Sequence, residues 1–142
     1  MKNGWVYLGA FIDDERRRSL LEKYKSLIPE GWKLYCDHAT LAFNDGSEIT
    51  KNLFEKYKPS LGDEVGLLAI GIGRSEDAIA LELSKDMDTS NKIFHITLAT
   101  RPGVAPVSSN YITDWKPLKE YDIIKAKIGY FANRKINFAY NG

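Results

Sequence analysis

Asp37-His38-Ala39-Thr40-Leu41-Ala42-Phe43 and Phe94-His95-Ile96-Thr97-Leu98-Ala99-Thr100 are two copies of one heptapeptide. Aligned without gaps, they share His, Thr, Leu and Ala at the same places. The two histidines of the chain both fall in these strings. In a strand, residues i and i+2 point to the same face. Each copy therefore sets an imidazole beside a hydroxyl. Ala39, Leu41 and Phe43 are expected on the other face, as are Phe94, Ile96 and Leu98. That pattern predicts two strands, each with one face in the core and a reactive pair on the other. The copies lie 57 residues apart. Such a repeat predicts two similar lobes facing each other around an approximate twofold.

The rest of the chain supplies elements for those lobes. Trp5 to Ile12 reads as a strand with Val6, Leu8, Ala10 and Ile12 on one face and Trp5, Tyr7, Gly9 and Phe11 on the other. The aromatic face suits either a cleft, with rings stacking on a base, or packing under a neighbour. Asp13 or Asp14 caps a helix whose apolar stripe is Leu20, Leu21, Tyr24, Leu27 and Ile28, stopped by Pro29 and Gly31. The run Arg16-Arg17-Arg18 fits a solvated helix face better than a phosphate site. Trp32 to Phe43 is the first motif strand. Asn44-Asp45-Gly46 signals a turn, and Ser47 caps a second helix with Ile49, Leu53, Phe54 and Tyr57 inward. Val65 to Ile72 and Ala78 to Leu83 form a hairpin across Arg74-Ser75-Glu76-Asp77. Gly71-Ile72-Gly73 lacks the third glycine and following helix of a dinucleotide fingerprint, and fits a bulge or a close backbone approach. Lys92 to Thr100 is the second motif strand. Arg101 to Asn110 is a Pro/Gly/Ser loop placed to shape a site. Tyr111 to Trp115 reads as a short helical turn, and Tyr121 to Phe131 and Lys135 to Tyr140 as closing strands.

Composition bounds the function. A chain of 142 residues, 44% hydrophobic and 27% charged, reads as one α/β (α+β) domain over residues 1–142. A net charge of +1 argues against a large nucleic-acid footprint, yet leaves room for a nucleotide or short oligonucleotide. One cysteine, Cys36, forms no internal disulfide. No signal peptide and no apolar run of membrane length is legible, so a cytoplasmic location is expected, or the host cytoplasm for a viral protein. The sequence leaves the oligomeric state open.

Two histidines across a cleft suit in-line displacement at phosphorus. One takes the proton of the attacking hydroxyl or water, and the other gives a proton to the leaving oxygen. Thr40 and Thr97 can donate to phosphate oxygens. Two His and one Cys fall short of a clustered metal-ligand set, and no nucleophile elbow is present. No metal and no cofactor are expected.

His38-Ala39-Thr40 and His95-Ile96-Thr97, each followed by Leu-Ala, resemble the paired motifs of the two-histidine (2H) phosphoesterase superfamily. That superfamily includes bacterial RNA 2′-5′ ligase-like proteins, cyclic phosphodiesterase domains of tRNA ligases, and phage enzymes that degrade cyclic nucleotide alarm signals. The resemblance implies a bilobal fold with two antiparallel sheets lining a central cleft and helices outside. It implies that His38 and His95 are catalytic and that Thr40 and Thr97 bind phosphate. It leaves three substrates open: a cyclic oligonucleotide signal, a terminal 2′,3′-cyclic phosphate, and a 2′-5′ linkage. The compact, near-neutral chain favours the first. A nucleotide-binding sponge without turnover is the reading from another class. Trp5, Tyr7 and Tyr111 are the aromatic candidates for base stacking.

Overall fold

A computed structural model describes residues 4–140. The fold is mixed α+β and dominated by antiparallel strands. The strands are β1 (Tyr7–Phe11), β2 (Lys33–Leu34), β3 (His38–Phe43), β4 (Glu64–Arg74), β5 (Ala78–Leu83), β6 (His95–Thr100), β7 (Asp114–Ala132) and β8 (Lys135–Asn137). Helix α1 (Asp14–Lys23) lies between β1 and β2, and α2 (Glu48–Tyr57) between β3 and β4. The pairing order β1-β3-β6-β5-β4-β7 closes on itself, because β1 also pairs with β7. Six strands thus form a ring, with β8 added beyond β7 and β2 added to β6. The two expected sheets are therefore joined as one continuous sheet.

One face of this sheet is the core. Leu8 and Ala10 of β1, Ala39 and Leu41 of β3, Ile79 and Leu81 of β5, and Ile96 and Leu98 of β6 are all at most 1% exposed. They join one cluster with Leu20 and Tyr24 from the first helical segment and Phe54 and Tyr57 of α2. Burial of this apolar area is the main stabilising term. Both helices start as the caps predict. The Asp13 carboxylate accepts from Arg16 N–H at 2.8 Å, and the Ser47 hydroxyl accepts from Thr50 N–H at 3.3 Å.

Several expectations change. Helix α1 ends at Lys23 and tightens into a 3-10 turn over Lys25–Leu27, so Leu27 is swung outward and exposed. In α2 the inward place beside Phe54 goes to Thr50, whose hydroxyl donates to the Asp45 carboxylate at 2.9 Å, while Ile49 faces solvent. The helical turn sits earlier than expected, at Pro106–Tyr111, and β7 already begins at Asp114.

Two irregularities aim the motif strand β3. Leu8 pairs with Ala42 but Gly9 pairs with Thr40, so Leu41 is an extra residue in the ladder. A bulge of one residue flips the alternation that follows it. Phe43 therefore pairs with Tyr7 and stands exposed on the site side, not with Ala39 and Leu41. The second irregularity interrupts the expected strand Trp32–Phe43. Leu34 pairs with Ala99, whereas Ala39 pairs with Ile96, which leaves extra chain between β2 and β3. Cys36 absorbs the turn with φ of 61°. Arg17 fastens it by donating to the carbonyls of Tyr35 (2.5 Å) and Leu34 (3.3 Å). That side chain of the arginine run is structural.

A bulge does occur next to the Gly71-Ile72-Gly73 segment, at Ile70 between Ala69 and Gly71. Gly73 also clears space, since a Cβ there would lie 2.4 Å from the Trp115 ring. Gly73→Ala is expected to cost about 1–3 kcal/mol through overpacking, read as a lower urea midpoint at unchanged slope. A midpoint equal to that of the parent would show that Trp115 moves aside freely.

Candidate active site

The register brings the two motifs together. Ala39 and Ile96, the middle residues of the two His-x-Thr triplets, pair directly across β3 and β6. Residues facing each other in an antiparallel pair share a face. Thr40 therefore lies beside His95, and His38 beside Thr97, with a local twofold between them. The ladders extend these positions into two rows. One runs Gly73, Ala80, Thr97, then His38 and Phe11. The other runs Gly71, Glu82, His95, then Thr40 and Gly9. Gly71 and Gly73 let neighbouring side chains close in beside the four polar groups, since a Cβ would meet the Glu82 carboxylate at 2.7 Å and the Trp115 ring at 2.4 Å.

The two imidazoles have different surroundings. His38 Nδ1 lies 2.8 Å from the Asp37 carboxylate, and its Nε2 lies 3.1 Å from the Thr40 hydroxyl. A carboxylate only accepts, so Nδ1 carries the hydrogen and Nε2 faces the site. The hydrogen bond from His38 holds the Asp37 carboxyl below the usual carboxylate range, against the opposing effect of burial. Tyr7 and Phe11 stack on the His38 ring at 4.8 and 5.6 Å between centroids. Burial, and then the Asp37 charge, push the Tyr7 phenol up to about 12, so it stays protonated.

His95 is 9% exposed. Its Nδ1 donates to the Ile93 carbonyl at 2.8 Å, which leaves the Nε2 lone pair free. Burial lowers its proton affinity below the ordinary value of 6.5, and the charge of His38 adds to this, while the Ile93 carbonyl opposes it. Thr97 is braced from behind. Its hydroxyl is 2.8 Å from that of Ser109, which is 1% exposed. Ser109 comes from the 3-10 turn Pro106–Tyr111, and Thr100 anchors the start of that loop by donating to the Val104 carbonyl at 2.9 Å.

Of the three aromatic candidates, the structure sets Tyr7 against His38. It sets Tyr111, 78% exposed, on the rim of a cavity that also includes His95. Trp5 is placed elsewhere, stacked on Phe54 of α2 at 4.7 Å against the core. Sequence reading missed Asp37 as a partner of His38, Ser109 behind Thr97, Glu82 beside His95, and Trp115, whose ring lies 6.4 Å from that of His95. Only Asp37 left a signal, since it adjoins the histidine. Among the described residues no three His, Cys, Asp or Glu side chains cluster as a metal site. No helix described is long and apolar enough to cross a membrane.

No family model matches the chain, and no curated protein matches it in sequence. Solved structures do. The fold is shared with a fungal RNA kinase. The crystal structure of that protein superposes with a TM-score of 0.53 at 16% identity, over 99% of this chain and 46% of the other. The chain thus spans about half the length of the structure it matches. At that identity the likeness concerns the fold.

The environment of His95 predicts a pH signature. The unfolded chain takes up the His95 proton near 6.5, and the folded chain takes it up only at lower pH. The unfolded state then binds more protons, so stability falls as pH drops below 6.5. His95→Gln removes this contribution. The stability of the parent relative to the variant, from urea unfolding, is expected to decline between about pH 7.5 and 5.5. A constant difference across that range would show that burial does not burden the imidazolium.

Proposed function

We propose that this protein is a metal-independent phosphodiesterase in which His95 is the general base and His38 the general acid. The observation that carries the reading is the Ala39–Ile96 pairing, which gathers two His-Thr pairs on one open face. A phosphate held between them meets a proton acceptor and a proton donor, as in-line displacement requires. The Ile93 carbonyl commits His95 Nδ1 as donor, and burial keeps the ring neutral, so Nε2 accepts the proton of the nucleophile. His38 Nδ1 donates to the Asp37 carboxylate, which holds the ring with Nε2 toward the site, where its N–H serves the leaving oxygen. Thr40 and Thr97 donate to the non-bridging oxygens, and Ser109 steadies Thr97.

The substrate is a small nucleotide, foremost a cyclic oligonucleotide signal. The fold shared with a fungal RNA kinase supports a nucleotide or RNA substrate, and keeps a second reading alive: opening of a 2′,3′-cyclic phosphate or cleavage of a 2′-5′ linkage. Tyr111 is the aromatic best placed to stack on a base, since the rings of Trp5 and Tyr7 already have partners. A chromatographic time course with cyclic dinucleotides, cyclic trinucleotides, 2′-5′ oligoadenylate and 2′,3′-cyclic mononucleotides tests these choices. Tight binding with no product from any of them would make the protein a nucleotide sponge.

His38→Ala and His95→Ala are each expected to lower the rate about a hundredfold or more. The double variant should be little worse than either, because the two act as a unit. Full activity in one folded single variant would refute the paired role.

The donor set also bears on metal dependence. Activity is expected to survive EDTA unchanged, because the described residues offer no clustered ligands. Loss on chelation that zinc or manganese restores would overturn the metal-independent mechanism.

A further inference from the structure

The site continues on the His95 side into a half-open cavity of about 520 Å3. That size is in the range of small-molecule sites. Its lining includes His95 and Ser109 and, beyond them, Lys92, Asn110, Ile112 and Trp115. Trp115 is a fixed wall. Its indole Nε1 donates to the Ile112 carbonyl at 3.0 Å, and its ring rests over Gly73, where no Cβ intervenes. A flat, immobile ring of this kind takes a nucleobase by stacking. The Asn110 amide, on the exposed loop, offers a donor and an acceptor to a base edge, and Lys92 offers a positive charge. At the other end of the site Tyr7 and Phe11 pack on His38 itself. The two sides of the scissile phosphate are thus unlike.

The tautomer of His95 orients the substrate in this frame. With Nδ1 committed to Ile93, Nε2 is the proton acceptor, so the attacking hydroxyl lies next to His95 and next to the cavity. In a 3′-5′ phosphodiester that hydroxyl is the ribose 2′-OH of the nucleoside on the 5′ side of the phosphate. We propose that the cavity holds this nucleoside, its base against Trp115 and its edge at Asn110. This inference rests on the phosphodiesterase reading above. His95 Nε2 takes the proton from O2′, and an O2′ electron pair forms the new bond to phosphorus. The P–O5′ bond breaks with its pair going to O5′, which takes the proton of His38 Nε2–H. The products are a 2′,3′-cyclic phosphate on the cavity nucleoside and a 5′-hydroxyl on the departing one, with no water consumed.

The orientation makes base preference one-sided. Two series of dinucleoside monophosphates, NpA and ApN, and the mixed adenosine–guanosine cyclic 3′-5′ dinucleotide, give the test. The wild-type protein should discriminate among bases N in NpA by about tenfold or more, the worth of one well-made hydrogen bond to the base, and far less in ApN. Asn110→Ala and Lys92→Ala, both on exposed positions that fold does not need, should compress the NpA spread and leave the ApN spread alone. Trp115→Phe should retain more NpA binding than Trp115→Leu. In the mixed cyclic dinucleotide, Asn110→Ala should even out which of the two linkages is cut. Variants that alter ApN and spare NpA would place the departing nucleoside in the cavity and overturn the proposal. Variants with no effect on either series would remove the cavity from the site. Opening of 2′,3′-cyclic mononucleotides alone would refute this orientation while the phosphodiesterase reading stands. Failure to cleave any ester in the panel would take both down.

Discussion

The pairing of Ala39 with Ile96 joins β3 to β6, and the site depends on it. Side chains alternate with period two, so a slip of one residue in either strand would send a histidine into the core and an apolar residue onto the site. The structure guards that register from both sides. On one flank, regular pairing of Phe11 with His38 and Gly9 with Thr40 ties β3 to β1, and β1 is closed against β7. On the other flank, β6 is held along its length by β5, from Glu82 opposite His95 to Ala78 opposite Thr100. Between them the irregular turn at Cys36 lets β2 and β3 meet β6 in two different registers, and Arg17 takes up the carbonyls the turn leaves over. Burial also pushes the Cys36 thiol up to about 12, which leaves it an inert core group.

A ring of six strands would normally fill its space with side chains. Here the main core lies on the face that includes the helices, a smaller buried cluster of Ala78, Ala80 and Ile112 packs against Trp115, and Gly71 and Gly73 admit the Glu82 and Trp115 side chains. Where the site face must be walled, rigid rings do it: Tyr7 and Phe11 at His38, and Trp115 near His95. The loop from Arg101 to Tyr111 supplies the last part, and Thr100 and Ser109 attach it to the same strand that bears His95.

The two heptapeptides were legible in the sequence because strand periodicity acts locally: His38 with Thr40 and His95 with Thr97 share a face whatever surrounds them. The caps at Asp13 and Ser47, the Arg74–Asp77 connection and the bulge beside Gly71 were legible because their signals are also local. What was hidden needed contacts between distant segments. Nothing local separates Phe43 from Leu41, and the bulge that does so arises from how β1 meets β3. Trp5 and Tyr7 look alike in an alternating strand, yet one packs on α2 and the other on an imidazole. Ser109 and Trp115 lie in a stretch without periodicity, and only the return of the loop onto β5 and β6 gives them a place. Ring closure through β1 and β7, which merges the expected two sheets, joins segments more than 100 residues apart and leaves no local mark.

The repeat is symmetric in sequence and asymmetric in chemistry, and the second property makes the first useful. Two identical imidazoles in identical surroundings would tend to be both neutral or both charged, and the proposed acid–base pair needs one of each. The residue before each histidine breaks the tie: Asp37 places a carboxylate on His38, while Phe94 turns into the core and leaves His95 to the Ile93 carbonyl. Exposure works in the same direction. His95 is buried enough to resist protonation, whereas the His38 side chain is 25% exposed. In the proposed mechanism one turnover leaves a proton on His95, and burial of that ring favours its loss.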